Sequence, residues 1–201
     1  MYFVEDFRIK VYGPEMNHVL SKPVDASEIS ELSRLMRYMV RVMRTASGCG
    51  LAAPQVGCFK QVVIIEKNGG EIESLVNPEI LRLYGKEIED FEVCLSLPPP
   101  GNGCRVPRLE MIDVEASSVD DPYIRKKLTF RGCTARIVQH ELDHLTGTFF
   151  VDRVSERQQR YVLESFENWK SQRREQIRSK GESENVNAGF VAARRGTTCL
   201  S

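Results

Sequence analysis

Net charge is missing from this chain: 28 Lys and Arg offset 28 Asp and Glu. That balance argues against a protein built to hold nucleic acid or to trap acidic substrates. Long apolar runs are missing too. Stretches such as Val62 to Ile65 fall far short of the roughly 20 residues that a membrane-spanning helix needs, so no membrane association is expected. The start, MYFVEDFRIK, carries acidic residues early and has no apolar core followed by small residues, which does not read as a secretory signal. The six cysteines form no CxxC pair, and without such a signal a reducing compartment is expected over a disulfide framework. No segment repeats. At 201 residues and 41% hydrophobic content, the chain suffices for one sizeable core but is short for two ordinary domains.

What is present has clear periodicity. Asp25 and Glu28 have capping-box spacing, and Ile29, Leu32, Leu35, Met36, Met39, Val40 and Met43 follow at helical intervals, so a helix is expected to about Ala46, ended by Gly48. QVVIIE, KNGG and EIESLVN read as two strands joined by a tight turn. More strand is expected from Ile80 to Leu95. Ile112, Val114 and Ala116 alternate with acidic residues in the period of a half-buried strand, with KKLTF as its candidate partner. A helix from Thr134 to about Leu145 has an apolar stripe of Ala135, Val138, Leu142 and Leu145. Ser155 and Gln158 open another, carrying Tyr161, Val162, Phe166 and Trp169. The expected division is a catalytic domain over 1–170 and a polar, flexible tail over 171–201.

Histidine is scarce, with three in the chain, and two of these stand four apart in QHELDHLTG, Gln139 to Gly147. On a helix such positions lie about 40° apart around the axis, so His140 and His144 can direct two imidazoles at one ion. Glu141 sits roughly 100° round from His140, beside the ion without being a ligand, where its carboxylate can take a proton from an activated water. Both histidines fall opposite the apolar stripe, so core packing does not account for them. A third protein ligand is then needed. His18 lies far upstream, Asp152 and Glu156 lie just past the helix, and Cys94 ends the strand-like EVCLSLP. A thiolate with two imidazoles suits a borderline-soft divalent ion and leaves an open position. An isolated cysteine is more often a small buried apolar residue, so spacing alone leaves the third ligand open.

Three segments in order, GCGLAAPQ (Gly48 to Gln55), EVCLS (Glu92 to Ser96) and QHELDHLTG, resemble the motifs of the peptide deformylases. The likeness extends from about Lys10 to Asp152 and includes ARIVQHE and FFVDR. The resemblance implies an α+β fold in which mixed, mainly antiparallel sheets surround a central HExxH helix. It implies removal of the N-formyl group from the formylmethionine end of newly made polypeptides, with the ribosome as a candidate partner. Ferrous iron would be held by Cys94, His140 and His144, with zinc, nickel or cobalt as substitutes. Glu141 would be the general base, and Gln55 with the backbone N–H of Leu95 would stabilise the oxyanion. Gly48, Cys49 and Gly50 would offer backbone edges to a peptide lying as an added strand, beside Val93 and Arg105. The expected setting is an organelle matrix, such as the mitochondrion, or a bacterial cytoplasm. Oligomeric state is not implied.

The chain also departs from that family. Val93 stands where the family has Gly before the cysteine. If extended, Val costs little, and if it needs positive φ it would cost about 1 to 3 kcal/mol and could displace Cys94. Either way a narrowed groove is expected. The loop LPPPGNGCRVPR is longer in Pro and Gly, with Arg105 as the nearest substrate-facing cation and Arg108 matching a later Arg, either of them otherwise a solvated surface charge. VYGPEMNHVL is longer than the usual turn. Cys49 and Cys133 are expected to pack rather than ligate. Two other readings stand beside the enzyme: a catalytically weak or inactive deformylase-like protein that binds peptide ends, and a zinc peptidase with a carboxylate or histidine as third ligand.

Overall fold

The computed structural model describes residues 9–67, 69–98 and 102–179. Helix α1, Ile29–Thr45, buries Leu32, Leu35, Met39, Val42 and Met43. Its start follows the capping spacing: the Glu28 carboxylate accepts the Asp25 N–H at 2.9 Å, and residues Ala26–Glu28 form a 3₁₀ turn. Its end differs from expectation, because Ser47 takes the left-handed conformation at φ 55°. Gly48 is needed for space instead, since a Cβ there would come within 2.9 Å of Leu95 Cδ1.

Strands β1 (Gly50–Ala52), β2 (Val62–Glu66), β3 (Ile72–Val93), β4 (Gly103–Ser117) and β5 (Lys126–Arg131) form one sheet in chain order. Every neighbouring pair is antiparallel. Among the described residues the expected mixed character comes down to one parallel bridge, Lys22 to Lys60, outside the named strands. The β2–β3 hairpin forms with Ile65 opposite Glu73 and Gly69 and Gly70 at positive φ, while Asn68 of its expected turn lies outside the described residues. β3 runs unbroken through what reads as a separate second strand, because register shifts after Val76, Ile80 and Tyr84 absorb its length against β4. β5 pairs with β4 as expected, Leu128 opposite Val114.

Side chains alternate across a strand, so β2 feeds two cores. Val62 and Ile64 join the core under α1, and Val63 and Ile65 join the core under α2, Gly132–Leu145. The Ala135, Val138, Leu142 and Leu145 stripe faces that second core. The opposite side of α2 is covered too, and Val138 to Leu145 are all buried. A third core of Phe149, Phe150, Val162 and Phe166 lies there, so the histidines occupy an interior seam. Helix α3, Glu156–Ser179, starts on a Ser155–Gln158 cap, with the Ser155 N–H on Gln158 Oε1 at 3.3 Å. Tyr161 is 69% exposed and outside the stripe of Val162 and Phe166. α3 also continues past Ser171 to Ser179, where a tail is expected; residues 180–201 of that tail lie outside the described residues. The long N-terminal turn packs over the end of α2: the Tyr12 ring meets Phe149 edge-on at 5.0 Å, and the His18 N–H donates to Gly147 O at 2.9 Å. Among the described residues no helix is long and apolar enough to cross a membrane.

Candidate metal centre

α2 supplies both histidines from one face, and the turn after β3 brings Cys94 to them. The ligand atoms of Cys94, His140 and His144 lie within 4.8 Å of one another and all three residues are buried. Cys94 Sγ is 3.3 Å from His144 Nε2. Phe149 lies edge-on to the His144 ring, and Phe150 stacks on His140, so the walls are apolar. Burial, with His140 beside it, holds His144 well below the ordinary imidazole range, in the neutral form that a ligand needs. Burial works against a charge on His140 as well, but hydrogen bonds with Cys94 and Glu92 raise it well above that range. The donor set of one thiol and two imidazoles fits a divalent ion with an open coordination position.

Glu141 lies beside this set. Its Oε2 is buried without a hydrogen-bond partner, and burial pushes its carboxyl up to about 7. Gly50 is what allows β1 to pass so close, because a Cβ there would stand 2.6 Å from Glu141 Oε1. Gln55 is buried in the 3₁₀ turn Ala53–Val56. Its Oε1 accepts the Ala52 N–H at 2.8 Å, which aims Nε2 at Cys94 Sγ (3.7 Å) and Ser96 Oγ (3.2 Å). Leu95 sits in the turn closed by the Leu97 N–H on Cys94 O at 3.0 Å, past the β3–β4 ladder that ends at Val93, where the Ser96 N–H donates to Cys94 Sγ at 3.4 Å.

Val93 ends β3 opposite Gly103, and positive φ among the described non-glycine residues is confined to His18, Ser47 and Asn77. It is therefore unstrained, and Cys94 keeps its place in the cluster. Its side chain is 46% exposed, on the face opposite its buried neighbour Glu92. Arg105 shares that exposed face, opposite Phe91, and donates to Glu89 O at 3.4 Å, outside the buried cluster. Cys49 and Cys133 are exposed rather than packed, and neither they nor His18 belongs to the ligand group.

Sequence reasoning missed the charges behind the histidines. Arg108, expected to match a later Arg of the family or to be a solvated surface charge, is buried: it forks both Glu92 oxygens at 2.9 Å and reaches Asp143 Oδ2 at 2.6 Å. Glu92 Oε2 is 2.9 Å from His140 Nδ1, which leaves Nε2 to face the ligand cluster. Burial opposes the charge on Glu92, but hydrogen bonds from His140 and Arg108 outweigh it and hold the carboxyl well below its usual range. Arg136 also donates to Glu92, and Arg153 forks Asp143. The local signal was Glu92 itself, an acid at a strand position whose alternation faces inward.

Comparison with known proteins agrees with this geometry. A family model described as polypeptide deformylase matches residues 7–160. A peptide deformylase of Dictyoglomus thermophilum is 40% identical over 148 residues, covering 74% of this chain and 92% of the relative. One from Chlorobium luteolum is 33% identical over 166 residues, covering 80% and 84%. The crystal structure of a peptide deformylase from Legionella pneumophila aligns at TM-score 0.74 and 32% identity, covering 83% of this chain and 96% of that one. The Met-Ala-Ser-bound class I type b peptide deformylase from Acinetobacter baumannii gives 0.66 and 33%, covering 73% and 97%. With a family match across most of its length and relatives covered nearly end to end, this chain belongs to the peptide deformylases, metal-dependent hydrolases that remove the formyl group from formyl-Met peptides.

Proposed function

We propose that the deformylation runs on Cys94, His140 and His144 as the ligands of one divalent ion, with Glu141 as the general base and Gln55 and Leu95 as oxyanion donors. The observation that carries this is the pairing of a ready ligand set with a buried carboxylate whose free oxygen lacks a partner. A divalent cation on that set supplies a lowered pKa for water and polarises a carbonyl. Glu141, with its carboxyl at about 7, is matched to take a proton from the attacking water near neutrality and return it to the leaving amine. Gln55 Nε2, 3.7 Å from Cys94 Sγ, and the N–H of Leu95, the next residue after Cys94, would donate to the oxygen where charge develops. Donor softness alone does not separate ferrous iron from zinc, nickel or cobalt; iron is assigned from the family resemblance.

The similar Acinetobacter baumannii structure has Met-Ala-Ser bound, which supports a peptide beginning with Met in the same place here, laid against Gly48 to Gly50. The ribosome is the proposed place of encounter, since the substrate is the start of a newly made chain. The third ligand geometry favours Cys94 over a carboxylate or histidine, which speaks against a zinc peptidase. The unstrained Val93 removes the strain that would have displaced Cys94, one of the two arguments for a non-catalytic binder; the branched side chain beside the groove is tested by turnover.

The test is turnover of a formyl-Met tripeptide by anaerobically prepared, iron- or cobalt-loaded protein beside Glu141→Ala. Wild-type turnover that falls about 10²- to 10⁴-fold in Glu141→Ala at equal metal content is expected. Equal rates in the two proteins would remove Glu141 from its role.

A further inference from the structure

The Glu92 carboxylate is saturated. Oε1 accepts from Arg108 Nε at 2.9 Å and Arg136 Nη1 at 2.7 Å, and Oε2 accepts from Arg108 Nη2 and His140 Nδ1, each at 2.9 Å. A carboxylate offers about four lone-pair sites, so all are filled. Arg136 is the donor that ties this group to the frame. It stands on α2 one turn before His140, on the same helix face. Its Nη1 also donates to Val106 O at 2.8 Å, and Nη2 donates to Ile88 O at 2.5 Å. One guanidinium thus joins α2, the backbone of β3, the backbone of β4 and the carboxylate that holds His140.

We propose that Arg136 is a positioning residue for the metal centre: by fixing Glu92 Oε1 against two strand backbones, it sets the direction of His140 Nε2. The inference rests on the reading that Cys94, His140 and His144 hold the ion. Arg108 also holds Glu92, but its guanidinium is shared with the side chain of Asp143 on α2, whereas Arg136 is bonded to two strand carbonyls. The planar fork holds its donors toward three acceptors in fixed directions; a lysine ammonium on a flexible stem keeps the charge but not that geometry. Charge itself is not what Arg136 contributes. Arg108 and Arg153 still balance Glu92 and Asp143 in Arg136→Gln, so the substitution strands no carboxylate.

The experiment uses the full chain loaded anaerobically with cobalt(II), as wild type, Arg136→Gln and Arg136→Lys. It measures bound metal per chain, the visible ligand-field bands, the rate of cobalt release to excess chelator, and the melting of each metal-free protein. Outer-shell partners of a histidine ligand commonly affect metal affinity by about 10- to 100-fold. Arg136→Gln is expected to bind one cobalt, show shifted bands and release the metal faster by about that factor, with Arg136→Lys nearly as fast. Should Arg136→Gln not fold, Arg136→Lys carries the same comparison. Wild-type release rates and bands in Arg136→Gln would overturn the proposal, even if its metal-free protein melts lower, and so would full restoration by Arg136→Lys. Failure of the wild type to hold cobalt would instead overturn the metal-site reading on which it rests.

Discussion

Val93 follows Glu92 by one position, so β3 turns the two side chains to opposite faces. Glu92 enters the ion network behind His140, and Val93 stays exposed beside the end of the strand. A peptide added as a strand presents alternate side chains to the Val93 face, so Val93 is expected to discriminate among peptides without touching the chemistry. In Val93→Gly, the preference between small and bulky residues after the formyl-Met should change by about tenfold in kcat/KM, with metal content unaltered. An unchanged preference across such a peptide series would show that Val93 is merely tolerated. Gln55 is proposed to act in the chemistry, so Gln55→Ala should lower kcat by about 10²- to 10³-fold with little change in KM, whereas a rise in KM alone would assign it to substrate binding. His140, Glu141 and His144 are legible in the sequence because one short helical spacing groups them, whereas Cys94 and Gln55 are legible only through the family motifs. Arg108 is not, because a cation is buried only by partners, and those of Arg108 lie 16 and 35 positions away.

At the scale of elements, the β3–β4 ladder is what delivers Cys94, and it closes on the pair Val93–Gly103. A Cβ on Gly103 would overlap the Glu92 carbonyl oxygen and approach Val93 Cγ1 to 2.9 Å, so the ladder would have to open one residue before the thiolate. Gly103→Ala should therefore cost about 1–3 kcal/mol in denaturant unfolding and lower the metal retained after gel filtration. Val93→Gly in the same chain should not restore either, because the harder overlap is with backbone. Recovery in the double variant would place the clash on the side chain instead. Helices α1 and α2 are legible because apolar residues recur with the helical period and Asp25 and Glu28 mark a start. The continuity of β3 is not, since Pro78 and Gly85 interrupt its pattern and register shifts against β4 carry the strand through. Tyr161 reads as part of the α3 stripe yet sits about 100° around the helix from Val162, enough to put its ring outside the core.

At the scale of the molecule, the sheet separates two cores, and α2 separates the second from a third that includes Cys94. The ligands therefore come together only when the β3–β4 arm, α2 and the segment around Phe149 and Phe150 have all packed. An ion that binds this arrangement and not the unfolded chain stabilises the fold by about 1.4 kcal/mol for each tenfold rise in free metal above Kd. For a domain of this size, each kcal/mol raises Tm by about 2–4 °C. Melting of the wild type in metal buffers should thus climb by roughly 3–6 °C per tenfold of free cobalt or zinc. In Cys94→Ala and His144→Ala the climb should be lost or displaced to much higher concentration, while Glu141→Gln, which removes no ligand, should keep it. A slope that survives in both ligand variants would mean that the stabilising ion binds elsewhere, and a slope lost in Glu141→Gln would make that carboxylate a ligand rather than the base.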